Sequence, residues 1–148
     1  MYALLLNERS RLVLQVERYQ GSGDDTSLNG VRLLCQSGTL PYQKTHVESS
    51  TGPWGEWTPY RSCSVGRLKA FQLRVEGHQG GGDDTAANNV RFRCSFGQVL
   101  EGDGMGWGSW GQWSEECGQG VCGIQTRLES SQGNGDDTAL NDMVLLCC

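Results

Sequence analysis

Three observations predict an all-β fold with near-threefold internal repetition. The pattern Gln-Gly-x-Gly-Asp-Asp-Thr-x-x-Asn occurs at residues 20–29, 79–88 and 132–141, at offsets of 59 and 53 residues. Each copy lies between two segments in which apolar and polar residues alternate. No segment of useful length has helical periodicity. The chain therefore repeats one β-rich unit.

The segments before the decapeptides have the alternation of half-buried strands. They are residues 12–17, 71–76 and 124–129. Successive side chains of an extended chain point to opposite faces, so Phe71, Leu73 and Val75 share one face. Their counterparts in the other copies do the same, and Thr126 is the one polar residue predicted to point inward.

A second strand is predicted after each decapeptide, at residues 31–35, 90–94 and 143–147, and each ends in a cysteine. Its alternation places Val90, Phe92 and Cys94 on the inner face. Arg91 and Arg93 are predicted to face water. The decapeptide is thus predicted to link two strands.

Two shorter elements complete the repeat. Residues 52–57 and 105–110 each contain Trp-Gly-x-Trp, which predicts a short strand whose two indoles point to opposite faces. Short edge strands are predicted at 38–40 and 97–99. The repeat is therefore predicted to have about four strands.

The decapeptides are interpreted as structural loops, because their glycines tolerate positive φ and their polar side chains can bond the loop's own amides. The residues assigned to this role are Asp24, Asp25, Thr26, Asn29, Asp83, Asp84, Thr85, Asn88, Asp136, Asp137, Thr138 and Asn141. Calcium is the alternative, since paired carboxylates recur, but the EF-hand order of acids is absent. We expect no metal and no cofactor.

Charge and cysteine content narrow the class of protein. Residues 101–148 hold eight acidic residues and one basic residue, Arg127, which disfavours nucleic acid. No apolar run approaches the length of a membrane span. Seven cysteines are typical of disulfides in an oxidising compartment. Zinc is disfavoured because C-x-x-C is absent and neither His46 nor His78 recurs between repeats.

Taken together, these elements closely resemble the vitelline membrane outer layer protein 1 family over nearly the whole chain. Residues 82–94 and 135–142, with the closing Cys147-Cys148, look like that family's second and third repeats. The resemblance implies a β-prism, in which three antiparallel Greek-key sheets surround a pseudo-threefold axis and one core. We expect one domain over 1–148, with repeats at about 1–48 (partial), 49–101 and 102–148.

The resemblance also implies a secreted, extracellular protein with four disulfides, but the first repeat departs from the family pattern. Family members have a secretion signal and a Trp-rich strand with its cysteine where this sequence has residues 1–11. We interpret the chain as an N-terminally truncated member. It is expected to be less stable than full-length relatives, because a missing strand exposes backbone donors of its neighbour.

Repeat symmetry and the resemblance together predict the disulfides. Cys63 is paired with Cys94, and Cys35, the counterpart of Cys94, is predicted to be free. The third repeat is predicted to contain Cys117–Cys148 and Cys122–Cys147, with the exchange of the last two cysteines left open.

Catalysis is the less favoured interpretation. The resemblance raises a lysozyme-like transfer that lengthens N-acetylglucosamine oligomers, and this chemistry needs two carboxylates that flank one glycosidic bond. Glu17, Glu76 and Glu129 recur at strand ends, which the fold explains more simply than one active site does. No catalytic residue is assigned.

Glycan binding is more credible than cleavage, because indole faces stack on sugars. The candidate binding residues are Trp54, Trp57, Trp107, Trp110 and Trp113. We favour a noncatalytic structural or barrier protein of the egg vitelline membrane outer layer or of secreted fluids, associated with egg-envelope or extracellular matrix glycoproteins. The alternative is a protein that binds or transglycosylates N-acetylglucosamine oligomers.

Overall fold

Three antiparallel sheets make up the described part of the chain, which is all-β as predicted. The computed structural model describes residues 9–17, 28–36, 44–49, 51–52, 55–76, 86–128 and 140–148. The sheets share one apolar core, to which sheet A contributes Leu14, sheet B Phe92 and sheet C Met143. The three sheets therefore bury their inner faces against one another.

The strands are numbered along the chain. Sheet A contains β1 (Arg9–Val16), β2 (Leu28–Gln36), β3 (Lys44–Glu48), β4 (Glu56–Trp57) and β5 (Arg61–Ser62), in the order β3-β2-β1-β4, with β5 also paired to β1. Sheet B contains β6 (Leu68–Glu76), β7 (Ala86–Cys94), β8 (Val99–Glu101) and β9 (Ser109–Trp110), in the order β8-β7-β6-β9. Sheet C contains β10 (Val121–Leu128) and β11 (Leu140–Cys147).

The long strand pair of each sheet is the pair predicted around the decapeptide. Leu12 and Leu14 of β1 are fully buried, as are Val90 and Phe92 of β7. The short strand predicted at 97–99 begins only at Val99, because Gly97 occupies a turn with φ of 89°. The strand predicted at 38–40 lies outside the described residues.

Each Trp-Gly-x-Trp segment pairs with a strand of the preceding repeat. Strand β4 pairs with β1, and β9 pairs with β6. Gly55 has φ of 99°, and a Cβ there would lie 2.7 Å from the backbone carbon of Val16. Gly108 has φ of 84° and packs in the same way against Val75. Glycine therefore lets the Trp-rich chain approach its neighbouring strand closely.

A β-bulge recurs at the same place in all three sheets, and it corrects the assignment of three asparagines to loops. Register shifts leave Asn29 of β2, Asn88 of β7 and Asn141 of β11 as the extra residue. Asn29 and Asn88 are 0% and 2% exposed. Their carbonyls accept hydrogen bonds from the amides of Gly52 (2.8 Å) and Met105 (2.7 Å). The bulge thus holds the chain that leads into each Trp-rich strand.

The other decapeptide residues assigned to loops lie outside the described part of the chain: Asp24, Asp25, Thr26, Asp83, Asp84, Thr85, Asp136, Asp137 and Thr138.

Three disulfides are formed among the described residues, and two of them correct the predicted pairing. Cys63 is bonded to Cys94. The third repeat contains Cys117–Cys147 and Cys122–Cys148 in place of the predicted Cys117–Cys148 and Cys122–Cys147. The 53-residue offset that places Cys147 over Cys94 also brings Cys117 next to the position of Cys63, so the symmetry already favoured the observed pairs. The side chain of Cys35 lies outside what the structure describes.

Candidate functional site

The outer face of sheet B carries an Arg–Trp ladder, formed by Arg74, Arg91, Arg93, Trp110 and Trp113. Arg91 and Arg93 are two residues apart on β7, so both side chains leave the same face of the sheet. Trp110 ends β9, and Trp113 lies in the segment that follows it. The ladder therefore joins the second repeat to the third.

Guanidinium groups lie over both indoles of the ladder at distances typical of cation–π contacts. The guanidinium carbon of Arg91 is 4.3 Å from the ring centroid of Trp110 and 5.5 Å from that of Trp113. Arg93 lies 4.3 Å from Trp113, and Arg74 lies 5.7 Å from Trp110. Arg91 thus contacts both indoles.

Hydrogen bonds fix the arginines in these positions. Arg91 Nε donates to Gln72 Oε1 at 2.6 Å, and Gln72 Nε2 donates to the carbonyl of Gly111 at 2.6 Å. Arg93 donates to Glu116 at 3.0 Å, and Arg74 donates to the carbonyl of Gly108 at 3.0 Å. Each guanidinium is therefore bonded as well as stacked.

The chain that carries the indoles is tied along β6. The amides of Gly111, Ser114 and Cys117 donate to carbonyls of Leu73, Phe71 and Lys69 at 2.9, 2.9 and 2.8 Å. Because these bonds extend the pairing of β9 with β6, Trp110 and Trp113 are held over the face of the sheet. Arg91 and Arg93, which were predicted to face water, are half-buried beneath them.

In the described part of sheet A, one arginine stacks on one indole in the same way. Arg32, the counterpart of Arg91, lies 3.9 Å from the ring centroid of Trp57 and donates to Glu48 at 2.6 Å. Tyr60 occupies the position that corresponds to Trp113 and is 52% exposed. Among the described residues, arginine stacking on a second indole therefore occurs only on sheet B.

The predicted glycan-binding tryptophans separate into two groups. Trp57, Trp110 and Trp113 have guanidinium groups over their rings. Trp107 is 56% exposed and is the one described indole with a broad free surface. Trp54 lies outside the described residues. Sugar stacking on this part of the molecule is thus open chiefly to Trp107.

Four carboxylates of the described residues accept hydrogen bonds within the fold. Glu48 accepts from Arg32, and Glu116 accepts from Arg93. Asp103 accepts two hydrogen bonds from Arg61. Asp142 accepts from the amide of Met143 at 2.8 Å and is the one carboxylate that lines a cavity of about 210 Å³ on sheet C. That cavity offers one carboxylate where glycoside hydrolysis uses two.

Within the described ranges, no three His, Cys, Asp or Glu side chains gather as a metal site would require. The same ranges contain no helix with the length and apolar character needed to cross a bilayer.

The comparisons with known proteins confirm the resemblance to the family. The family model "Vitelline membrane outer layer protein I" matches residues 10–148. The human vitelline membrane outer layer protein 1 homolog is 53% identical over 137 residues, which are 91% of this chain and 68% of the relative. The mouse homolog is 50% identical over 137 residues, with the same coverage. The chain belongs to the vitelline membrane outer layer protein I family.

Proposed function

We propose that this chain is a noncatalytic structural component of an extracellular coat or secreted fluid, built as a pseudo-threefold β-prism. The ladder is the observation that carries the proposal. Its arginines are hydrogen-bonded to Gln72, Glu116 and the carbonyl of Gly108. Its indole faces carry guanidinium groups from the same chain. Such a surface stabilises the fold and leaves few polar groups or ring faces available to bind a substrate.

Three further features support a stabilising role. Disulfides close loops between residues 63 and 94, 117 and 147, and 122 and 148. A disulfide typically adds about 2–4 kcal/mol to the free energy of unfolding. A protein that persists outside cells gains from covalent links of this kind, because no cellular machinery refolds it there.

Retention in an extracellular coat tests the structural proposal. The purified protein is incubated with isolated egg-envelope material and sedimented, with serum albumin as the control. We expect it to pellet with the envelope and to remain there in excess N-acetylglucosamine oligomer. Failure to pellet above the albumin background would contradict the proposal.

A product-length assay tests the noncatalytic part. The protein is incubated with N-acetylglucosamine oligomers beside a lysozyme, and product lengths are measured by mass spectrometry. We expect no oligomers longer than those supplied. Lengthening that disappears in Asp142→Asn would assign catalysis to the sheet C cavity and overturn the proposal.

Exposed Trp107 favours glycan binding as a second function. Release of the pelleted protein by the oligomers would support it. Trp107→Ala should then abolish the release, and Tyr60→Ala, which removes another exposed ring, serves as the matched control. If both variants lose this release equally, the result would argue against a specific site at Trp107.

A further inference from the structure

Three tryptophans follow one another at intervals of three residues in the segment Trp107-Gly-Ser-Trp110-Gly-Gln-Trp113. Trp107 and Trp110 are each followed by tryptophan at the third position. Trp113 is followed there by Glu116, and Trp57 by Tyr60. The described tryptophans thus divide into two that satisfy a Trp-x-x-Trp pattern and two that do not.

We propose that Trp107 and Trp110 are C-mannosylation sites. Trp-x-x-Trp is the acceptor pattern of this modification, in which the first indole receives a mannosyl group at ring carbon C2. The donor is a lipid-linked mannosyl phosphate in the lumen of the secretory pathway. Glycosylation of this kind adds a bulky polar group to the protein surface.

The transfer is balanced without an oxidant or a reductant. The electron pair of indole C2 attacks the anomeric carbon of mannose, and the bond between that carbon and the phosphate oxygen breaks. The lipid phosphate leaves with that bonding pair. The proton on C2 then passes to a base, which restores the aromatic ring.

At Trp107 the folded structure has room for the product. Trp107 is 56% exposed, so a sugar on its ring edge meets solvent. In Trp110 the guanidinium groups of Arg91 and Arg74 lie over the ring, whereas C2 lies on the ring edge. Stacking and mannosylation therefore use different parts of the same indole.

The disulfides supply an independent indication of the compartment. Three bridges are formed in the described residues, and such bridges persist in the oxidising lumen where the mannosyl donor is used. The inference rests on the extracellular location in the proposed function. It does not depend on the structural role, because an active glycan-binding protein would be modified in the same way.

Mass spectrometry of the protein made in a secretory pathway tests the proposal. The chain is expressed in mammalian cells behind a heterologous secretion signal and recovered from the medium and the microsomal fraction together. We expect one added hexose on Trp107 and one on Trp110, and none on Trp57 or Trp113. Trp54, which Trp57 follows at the third position, should carry one as well. The additions should be absent from cells that lack the C-mannosyltransferase.

Two variants separate the pattern from the fold. Trp113→Ala should remove the hexose from Trp110 and leave that on Trp107. Arg93→Ala disrupts the same rung but keeps the pattern, so both hexoses should remain. Unmodified Trp107 and Trp110 in the wild-type chain would overturn the proposal, as would hexoses that persist without the transferase or appear equally on Trp57 and Trp113.

Discussion

The outer faces of sheets B and C occupy the same positions of the sequence repeat and differ in what covers them. Arg91 and Arg93 of sheet B lie beneath indoles. At the 53-residue offset sheet C has Val144 and Leu146, which are 50% and 51% exposed. The inner faces of both sheets still enter one core. The repeat thus specifies the residues of the inner face. The residues of the outer face depend on the Trp-rich segment that lies across it.

The largest expected effect concerns the inner faces. Phe92 is fully buried, and its counterpart Leu145 is half-buried. We expect Phe92→Ala to lower the free energy of unfolding by about 3–5 kcal/mol, because a large cavity remains. Leu145→Ala should cost about 1–2 kcal/mol, since less apolar area is lost. Urea denaturation measures both, and equal costs would mean that the two inner faces contribute alike.

Exchange of the outer-face residues gives the next largest effect. Arg91→Val with Arg93→Leu gives sheet B the residues of sheet C and removes three stacking contacts and the hydrogen bond from Arg93 to Glu116. We expect a loss of about 1–3 kcal/mol. Val144→Arg with Leu146→Arg should change stability by no more than about 0.5 kcal/mol, as for most exposed substitutions. Comparable losses in both double variants would show that the indoles add nothing.

A single matched pair sharpens the comparison. Arg74 stacks on Trp110 and bonds the carbonyl of Gly108, whereas its counterpart Arg127 is exposed. We expect Arg74→Met to cost about 0.5–1 kcal/mol and Arg127→Met less than about 0.5 kcal/mol. Thermal unfolding at one salt concentration compares them. A larger loss for Arg127→Met would contradict the assigned role of Trp110.

The smallest effect is expected at Arg61, which links β5 to the segment after β8. Its hydrogen bonds to Asp103, and then the charge of that carboxylate, raise the pKa of Arg61. A raised pKa favours the charged form in the folded state. The contribution of the pair to stability is therefore complete below the ordinary arginine pKa and is lost only as the pH rises through the raised value. Because the pair is exposed, we expect Arg61→Gln to leave the urea midpoint unchanged across neutral pH. A pH-dependent midpoint difference between the variant and the wild type would contradict this.

The long strands could be predicted from sequence because the repeat aligns their alternation three times. Leu12, Leu14, Val90 and Phe92 are buried as that alternation requires. The bulges could not be predicted in the same way, because Asn29 and Asn88 carry the polar side chains usual in loops. Their burial depends on pairing with a strand distant in sequence.

The ladder was missed because each half was interpreted separately. Arg91 and Arg93 alone have the pattern of solvent-facing residues, and Trp110 and Trp113 alone have that of sheet-packing aromatics. The signal that joins them is spacing. Two arginines that are two residues apart on a strand lie on one face. Two indoles that are three residues apart in a neighbouring segment can lie over that face and stack on them. That register becomes visible only once β9 is paired with β6.

The coupling energy between Arg91 and Trp110 tests most directly whether the ladder stabilises the fold. A double-mutant cycle combines Arg91→Met and Trp110→Leu, with urea denaturation of the wild type and all three variants at one salt concentration. We expect a coupling of about 0.5–1 kcal/mol in favour of the pair. Additive single and double variants, with a coupling within about 0.3 kcal/mol of zero, would contradict the account.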